Sequence, residues 1–145
     1  MAVFLPDANV LIHALHHSSP QHACCRKWLM DAVARGDQLG LAELVEVALI
    51  RIPTLPRLQL VPINELLGFW KDDLWTYPGT RRLAAGSRHA EIFTRLLSAH
   101  ELQGNDINDV WLAALALEHN ATLVSTDEGF SRIKGLHWSN PATSV

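Results

Sequence analysis

Val3-Phe4-Leu5-Pro6-Asp7-Ala8-Asn9-Val10-Leu11-Ile12 opens the chain with an apolar run, a proline–aspartate stop and a second apolar pattern. A short continuous apolar run suits a strand covered on both faces, as in parallel sheets. From Ala8 to Leu15 the apolar residues Val10, Leu11, Ala14 and Leu15 recur at helical spacing, ending in the polar stretch His16 to Ser19. Ala121 to Ser125 repeats the strand pattern and stops at Thr126-Asp127. Two strands that end on acids, each separated from the next by helical pattern, predict an α/β protein with an open, mainly parallel sheet.

Working outward, Ser19-Pro20 reads as an N-cap and first helical position, with Ala23, Trp28, Leu29, Ala32 and Val33 facing inward and Gly36 closing that helix. Gln38 to Leu41 is a brief strand, and Ala42 to Ile52 a third helix that Pro53 stops. Pro62 to about Trp75 is amphipathic, and Tyr77-Pro78-Gly79 is a turn. Arg81 to Ala85 reads as a strand, and Ser87 as the cap of a helix over Arg88 to Leu102. After Gly104, Asp106 or Asn108 caps an apolar helix from Asp109 to His119. Leu136 to Trp138 is the final strand. No linker or repeat divides residues 1–145, which read as one domain.

Composition narrows the function. With 48% hydrophobic and 19% charged residues the chain reads as globular rather than disordered. Its net charge of −3 announces no nucleic-acid binder, although bound divalent cations would reverse that sign. The N-terminus lacks the basic flank and long apolar run of a signal peptide. No stretch approaches the roughly 18 apolar residues of a membrane span. Cys24 and Cys25 are adjacent and poorly placed for a mutual disulfide, so a reduced, cytoplasmic chain is expected.

Four acids stand where strands end or helices begin: Asp7, Glu43, Asp109 and Asp127. Each has a local explanation. Asp7 can cap a helix, Glu43 and Asp109 complement a helix dipole, and Asp127 suits a turn. Ligands of open parallel sheets bind outside the carboxyl ends of the strands, where these acids fall. Carboxylates crowded there are costly unless a cation neutralises them. Glu46 and Asp106, each three residues from one of the four, compete for the same roles. Oxygen ligands without cysteine or grouped histidine favour Mg²⁺ or Mn²⁺ over zinc. His13, His16, His17 and His22 cluster but lack a zinc-site motif and read as a polar helix end and loop. Asn9, Ser125 and Thr126 are candidates to orient the acids. Trp70, Trp75, Trp111 and Trp138 suit base stacking or core packing. Arg51, Arg57, Arg81, Arg82, Arg88 and Arg132 suit phosphate contacts or ordinary surface charge.

The strings Pro6-Asp7-Ala8-Asn9-Val10-Leu11-Ile12, Ala42-Glu43-Leu44 with Ala48-Leu49-Ile50-Arg51, Asn108 to His119 and Ala121 to Phe130 resemble, in order, those of the PIN-domain ribonucleases. The likeness is strongest to the VapC toxins of bacterial toxin–antitoxin pairs and extends to Gly135 to Pro141. It implies a three-layer α/β/α fold with four or five strands. Asp7, Glu43, Asp109 and Asp127 would then be the catalytic, metal-binding acids for Mg²⁺ or Mn²⁺. The activity implied is endonucleolytic hydrolysis of RNA to a 5′-phosphate and a 3′-hydroxyl, with water as nucleophile. The partners implied are RNA, a VapB-type antitoxin covering the acidic cleft, and a second copy in a homodimer. Trp111 departs from the family pattern, where a small or polar residue is common. A catalytically silent binding module of the same fold is the rival reading. A phosphotransferase ranks lower, because Asp7-Ala8-Asn9 lacks the second aspartate such enzymes carry.

Overall fold

The computed structural model of the chain describes residues 2–99 and 106–143. Its strands are β1 (Val3–Pro6), β2 (Gln38–Leu41), β3 (Thr80–Arg82), β4 (Thr122–Val124) and β5 (Trp138–Ser139). They form one sheet in the order β3-β2-β1-β4-β5, and all four pairings are parallel. The helices are α1 (Ala8–Leu15), α2 (His22–Arg35), α3 (Glu43–Arg51), α4 (Ile63–Gly68), α5 (His89–Ala99) and α6 (Asp106–Glu118). From β1 the chain steps through β2 to β3 toward one edge, then crosses back to β4 and β5 on the other side. Right-handed crossovers in opposite directions place α1 to α4 on one face and α5 and α6 on the other. The result is the expected α/β/α layering. Leu5, Leu39, Leu41, Leu123 and Val124 are fully buried between the layers, which explains the unbroken apolar strand runs.

Direction reverses between β1 and β4, whose register sets Leu5 opposite Leu123 and Pro6 opposite Val124. Connections leave this point to opposite faces, so a crevice opens beyond the two carboxyl ends. Asp7 N–H donates to Val124 O at 2.8 Å and ties the two strand ends together at its floor. Close approach of backbone and side chain is needed at Gly40 in β2. A Cβ there would lie 2.4 Å from Leu83 Cδ1.

Several boundaries differ from the sequence-based expectation, each for a local reason. Ser19 does not cap α2, which starts at His22 with no side-chain cap. Its hydroxyl lies 2.7 Å from His13 Nδ1 and accepts from Gln21 N–H, closing the turn between α1 and α2 instead. Gly36 does end α2, with φ of +74°, the left-handed geometry that favours glycine. Pro62 precedes α4 rather than opening it, and the helix widens after Gly68 into a π-type segment, Phe69–Leu74. β3 occupies Thr80–Arg82 rather than Arg81 to Ala85, because its pairing runs out where β2 ends; Leu83 N–H makes the last bond, to Leu41 O. The N-terminus of α5 is capped by Glu118 of α6 rather than by Ser87: its carboxylate accepts from Gly86 N–H at 2.8 Å and Arg88 N–H at 3.0 Å. The expected end of this helix at Leu102, and Gly104, lie outside the described residues. Asn108 sits within α6 rather than capping it, and Asp106 is the first described residue of that helix. β5 is displaced to Trp138–Ser139, since the β4 ladder pairs through His137 O and Ser139 O.

Candidate active site

Asp7 lines the crevice, and Ser125 lies buried behind it. Asp7 has the extended backbone of an N-cap, and its Oδ1 accepts from Ala8 N–H at 2.8 Å. Its second oxygen, Oδ2, accepts from Ser125 Oγ at 2.9 Å and from Asn9 Nδ2 at 3.4 Å. Ser125 is fully buried, and its hydroxyl also accepts from Asn9 Nδ2 at 3.1 Å and from Asp127 N–H at 3.1 Å. Asn9 Oδ1 accepts from Thr126 N–H at 3.3 Å. The end of β4 is thereby stitched to the start of α1 through side chains from both. A carboxylate so held has few rotamers left, which is the usual role of groups behind a metal ligand.

The crevice is a cleft of about 430 Å³ whose wall includes Asp7, Asp109 and Asp127 together with Arg51 and Asn108. Leu44, Val45, Ala48, Ile52 and Leu112 give it an apolar flank from α3 and α6. Asp109 stands in the first turn of α6. Burial raises its carboxyl pKa to about 6, and the charges of Asp7, Asp127 and Asp106 add to that, with Arg132 opposing them. Burial also raises the Asp7 pKa; its bonds from Ser125 and Ala8 offset this in part, and the Asp127 charge adds to the rise. Asp127 is exposed at the head of a short 3₁₀ turn, Glu128–Arg132, where its Oδ1 accepts from Gly129 N–H at 2.8 Å. Among the described residues, none of these three aspartates is in an ion pair. Mutual repulsion in a part-buried cleft without a paired cation is the electrostatic state that a divalent ion relieves. The donor set therefore fits a hard divalent cation, although among the described residues no three acidic, histidine or cysteine side chains stand close enough together to ligate one ion as they are.

Glu43 is placed differently. It is the first residue of α3, its side chain is 74% exposed, and it lies 3.6 Å from Arg82 Nη1 rather than lining the cleft. Glu46, one turn further on, is buried and is not among the residues lining the cleft. Its Oε1 accepts from Trp70 Nε1 at 2.9 Å and Trp75 Nε1 at 2.8 Å, and Arg82 Nη2 lies 2.9 Å from Oε2. Sequence reasoning did not find this network. Its only signal was the Glu43–Glu46 spacing, since the partners come from the π-type segment, the residue that ends it and β3. Asp106 lies near Asp109 beside a small recess that also includes Arg132. Trp138 Nε1 donates to Ser125 O at 3.1 Å. Trp111 is 38% exposed and packs against His89 and Phe93. His13 and His22 are bonded locally, to Ser19 and to His13 O, as a polar helix end requires.

A parallel sheet with an acidic crevice at its reversal point defines an open α/β protein with its site at the strand ends. Residues 4–136 match the PIN domain, and the chain belongs to that family, among its VapC ribonucleases. It is similar to VapC ribonuclease Mb2897 of Mycobacterium bovis, 39% identical over 138 residues that span 93% of this chain and 92% of that one. Ribonuclease VapC37 of Mycobacterium tuberculosis is 34% identical over 136 residues, 93% of this chain and 94% of the relative. In fold it resembles VapBC2 from Rickettsia felis, solved bound to a promoter DNA fragment, with a TM-score of 0.69 and 18% identity over 95% of this chain and 98% of that one.

Proposed function

We propose that the chain is a Mg²⁺- or Mn²⁺-dependent endoribonuclease acting as the toxin of a VapB-type toxin–antitoxin pair. The observation that carries this is the convergence of Asp7, Asp109 and Asp127 on one cleft at the reversal point of the sheet. The family relationship supplies the reaction class. Asp7, Asp109 and Asp127 hold the divalent ion, with Glu43 joining from the rim. When bound, such an ion makes water nucleophilic near neutral pH and stabilises charge on the leaving oxygen. The chain's own groups do the rest. Ser125 and Asn9 keep Asp7 aimed into the cleft. Arg51, on the cleft wall, is placed to meet the phosphate of an RNA backbone. The apolar flank from α3 and α6 limits water around the reacting phosphate.

The reading takes residues 1–145 as one nuclease domain working in the cytoplasm. Among the described residues no helix is long and apolar enough to cross a membrane, and Cys24 and Cys25 are free thiols. An antitoxin segment over the cleft and a homodimer through helical faces belong to the same proposal. Met30 and Val47 are exposed apolar residues on two helices that such contacts would cover. Asp7→Asn and Asp109→Asn are expected to abolish Mg²⁺-dependent RNA cleavage while circular dichroism shows the native fold. Cleavage by either variant at the wild-type rate overturns the assignment. Absence of Mn²⁺ binding to the wild-type chain by calorimetry turns the reading toward a silent binding module.

A further inference from the structure

We propose that Arg82 is a positioning residue that holds Glu43 outside the acidic cleft until a divalent cation takes Glu43 over. This rests on the reading of the cleft as a metal centre. The arginine is fixed from behind. Glu46 is 7% exposed and its two oxygens accept Arg82 Nη2, at 3.2 Å and 2.9 Å, together with both indole N–H groups. The guanidinium carbon also lies 5.3 Å from the centroid of the Trp75 ring, within cation–π range. One side of a planar, rigid fork is therefore committed to a buried acid and an aromatic face.

Its other nitrogen, Nη1, is left for Glu43. The contact is 3.6 Å, too long for a good hydrogen bond, and the glutamate side chain is 74% exposed. The two contacts of Arg82 are thus unequal. The Glu46 side is desolvated and reinforced; the Glu43 side is a solvated ion pair of the weak kind. Glu43 begins α3 and is followed directly by Leu44, which with Val45 and Ala48 of the same helix lines the cleft, so its exposed carboxylate starts beside the cleft rim. A divalent ion in the cleft offers Glu43 a stronger partner than Arg82 does. The exchange leaves Arg82, whose side chain is 42% exposed, still paired with Glu46.

The test is a double-mutant cycle read by Mn²⁺ affinity in calorimetry, with no RNA present. Removing a competing exposed ion pair in Arg82→Ala is expected to tighten Mn²⁺ binding about two- to fivefold. In a Glu43→Gln background that gain should vanish, because there is no acid left to release. Arg82→Lys, whose single ammonium cannot serve both glutamates at once, should return the affinity only part of the way to wild type. Should Arg82→Ala unfold, Arg82→Met keeps a chain of similar length over Trp75 without the charge and serves in its place. An Arg82 substitution whose effect is the same with and without the Glu43→Gln change, or one that weakens Mn²⁺ binding, overturns the proposal and leaves Arg82 a structural residue. If Asp7→Asn abolishes Mn²⁺ binding while the cycle shows no coupling, the metal centre stands and the Arg82 role falls. If the wild-type chain binds no Mn²⁺, both fall.

Discussion

Ser125 Oγ donates to Asp7 Oδ2 at 2.9 Å, joining two residues 118 positions apart in the chain. The serine is fully buried, while the aspartate reaches the cleft. Its hydroxyl takes bonds from Asn9 and from the Asp127 backbone as well, so one atom sets the spacing between two candidate metal acids. Loss of a group behind a metal ligand usually costs about 10–100-fold in metal affinity or activity. Ser125→Ala is expected to weaken Mn²⁺ binding in that range with little change in fold, and Ser125→Thr, which keeps the hydroxyl, to lose much less. Calorimetric titration of the three proteins side by side checks this. Equal affinity in the alanine variant removes Ser125 from the site.

Asp109 predicts a distinctive dependence on pH. Its carboxyl is raised to about 6, chiefly by burial, against an ordinary aspartate value near 4. Between those values the metal-free folded chain holds a proton that the unfolded chain has released. The stabilising contribution is therefore complete below the unfolded value and disappears as pH rises through about 6. Melting temperatures in a chelator should fall from pH 4.5 to pH 7, and Asp109→Asn should flatten that slope. Divalent ions reverse the direction, since they bind the ionised carboxylate. The stabilisation that Mn²⁺ adds should grow from pH 5 to pH 7. A chelated wild-type chain that becomes more stable over the same interval contradicts the assignment.

Much of this architecture was readable before any coordinates. Val3-Phe4-Leu5 and Leu123-Val124 carry short apolar runs of the kind that suits a sheet covered on both faces, and Gly36 marks a helix end by its backbone freedom. Asp7, Asp109 and Asp127 were legible because strand-end and helix-start positions gather at one rim. The Ala42-Glu43-Leu44 string favoured Glu43 over Glu46 by resemblance, but local pattern did not show where either side chain would go. They lie one turn apart on one helix, and what sends one to the surface and the other inward is Trp70, Trp75 and Arg82, which follow Glu46 by 24, 29 and 36 residues. The start of α5 failed for a similar reason. The cap of α5 is a carboxylate that Glu118 contributes from α6, and a local pattern such as Ser87 contains no trace of it.

Gly40 offers a test of the sheet itself. A methyl group at this position would meet the branch of Leu83 at 2.4 Å and 2.6 Å, and Leu83 is 1% exposed. Overpacking of this kind costs about 1–3 kcal/mol. Gly40→Ala should lower stability by that amount in urea denaturation, and a Gly40→Ala, Leu83→Ala double variant should lose less than the two single losses combined. Strict additivity means that the two residues are not in contact.

Glu46 is the last case, and its two substitutions separate charge from hydrogen bonding. Glu46→Gln keeps a carbonyl oxygen for the Trp70 and Trp75 indoles and gives up only the ion pair with Arg82, whose side chain is 42% exposed and can turn to water. Such a pair is worth little once solvent screens it, so a loss of about 1 kcal/mol is expected. Glu46→Leu fills a similar volume but leaves two indole N–H groups without an acceptor, each costing roughly 1–3 kcal/mol where buried. Both rings are half-buried, which puts the combined loss near ~2–4 kcal/mol. Chemical denaturation should therefore rank wild type above the glutamine variant and the leucine variant last. The leucine variant should also show altered tryptophan fluorescence, because two indoles lose a polar partner at once. A leucine variant as stable as the wild type would mean that apolar packing around Trp70 and Trp75, rather than their shared acceptor, holds α3 to the segment that follows α4.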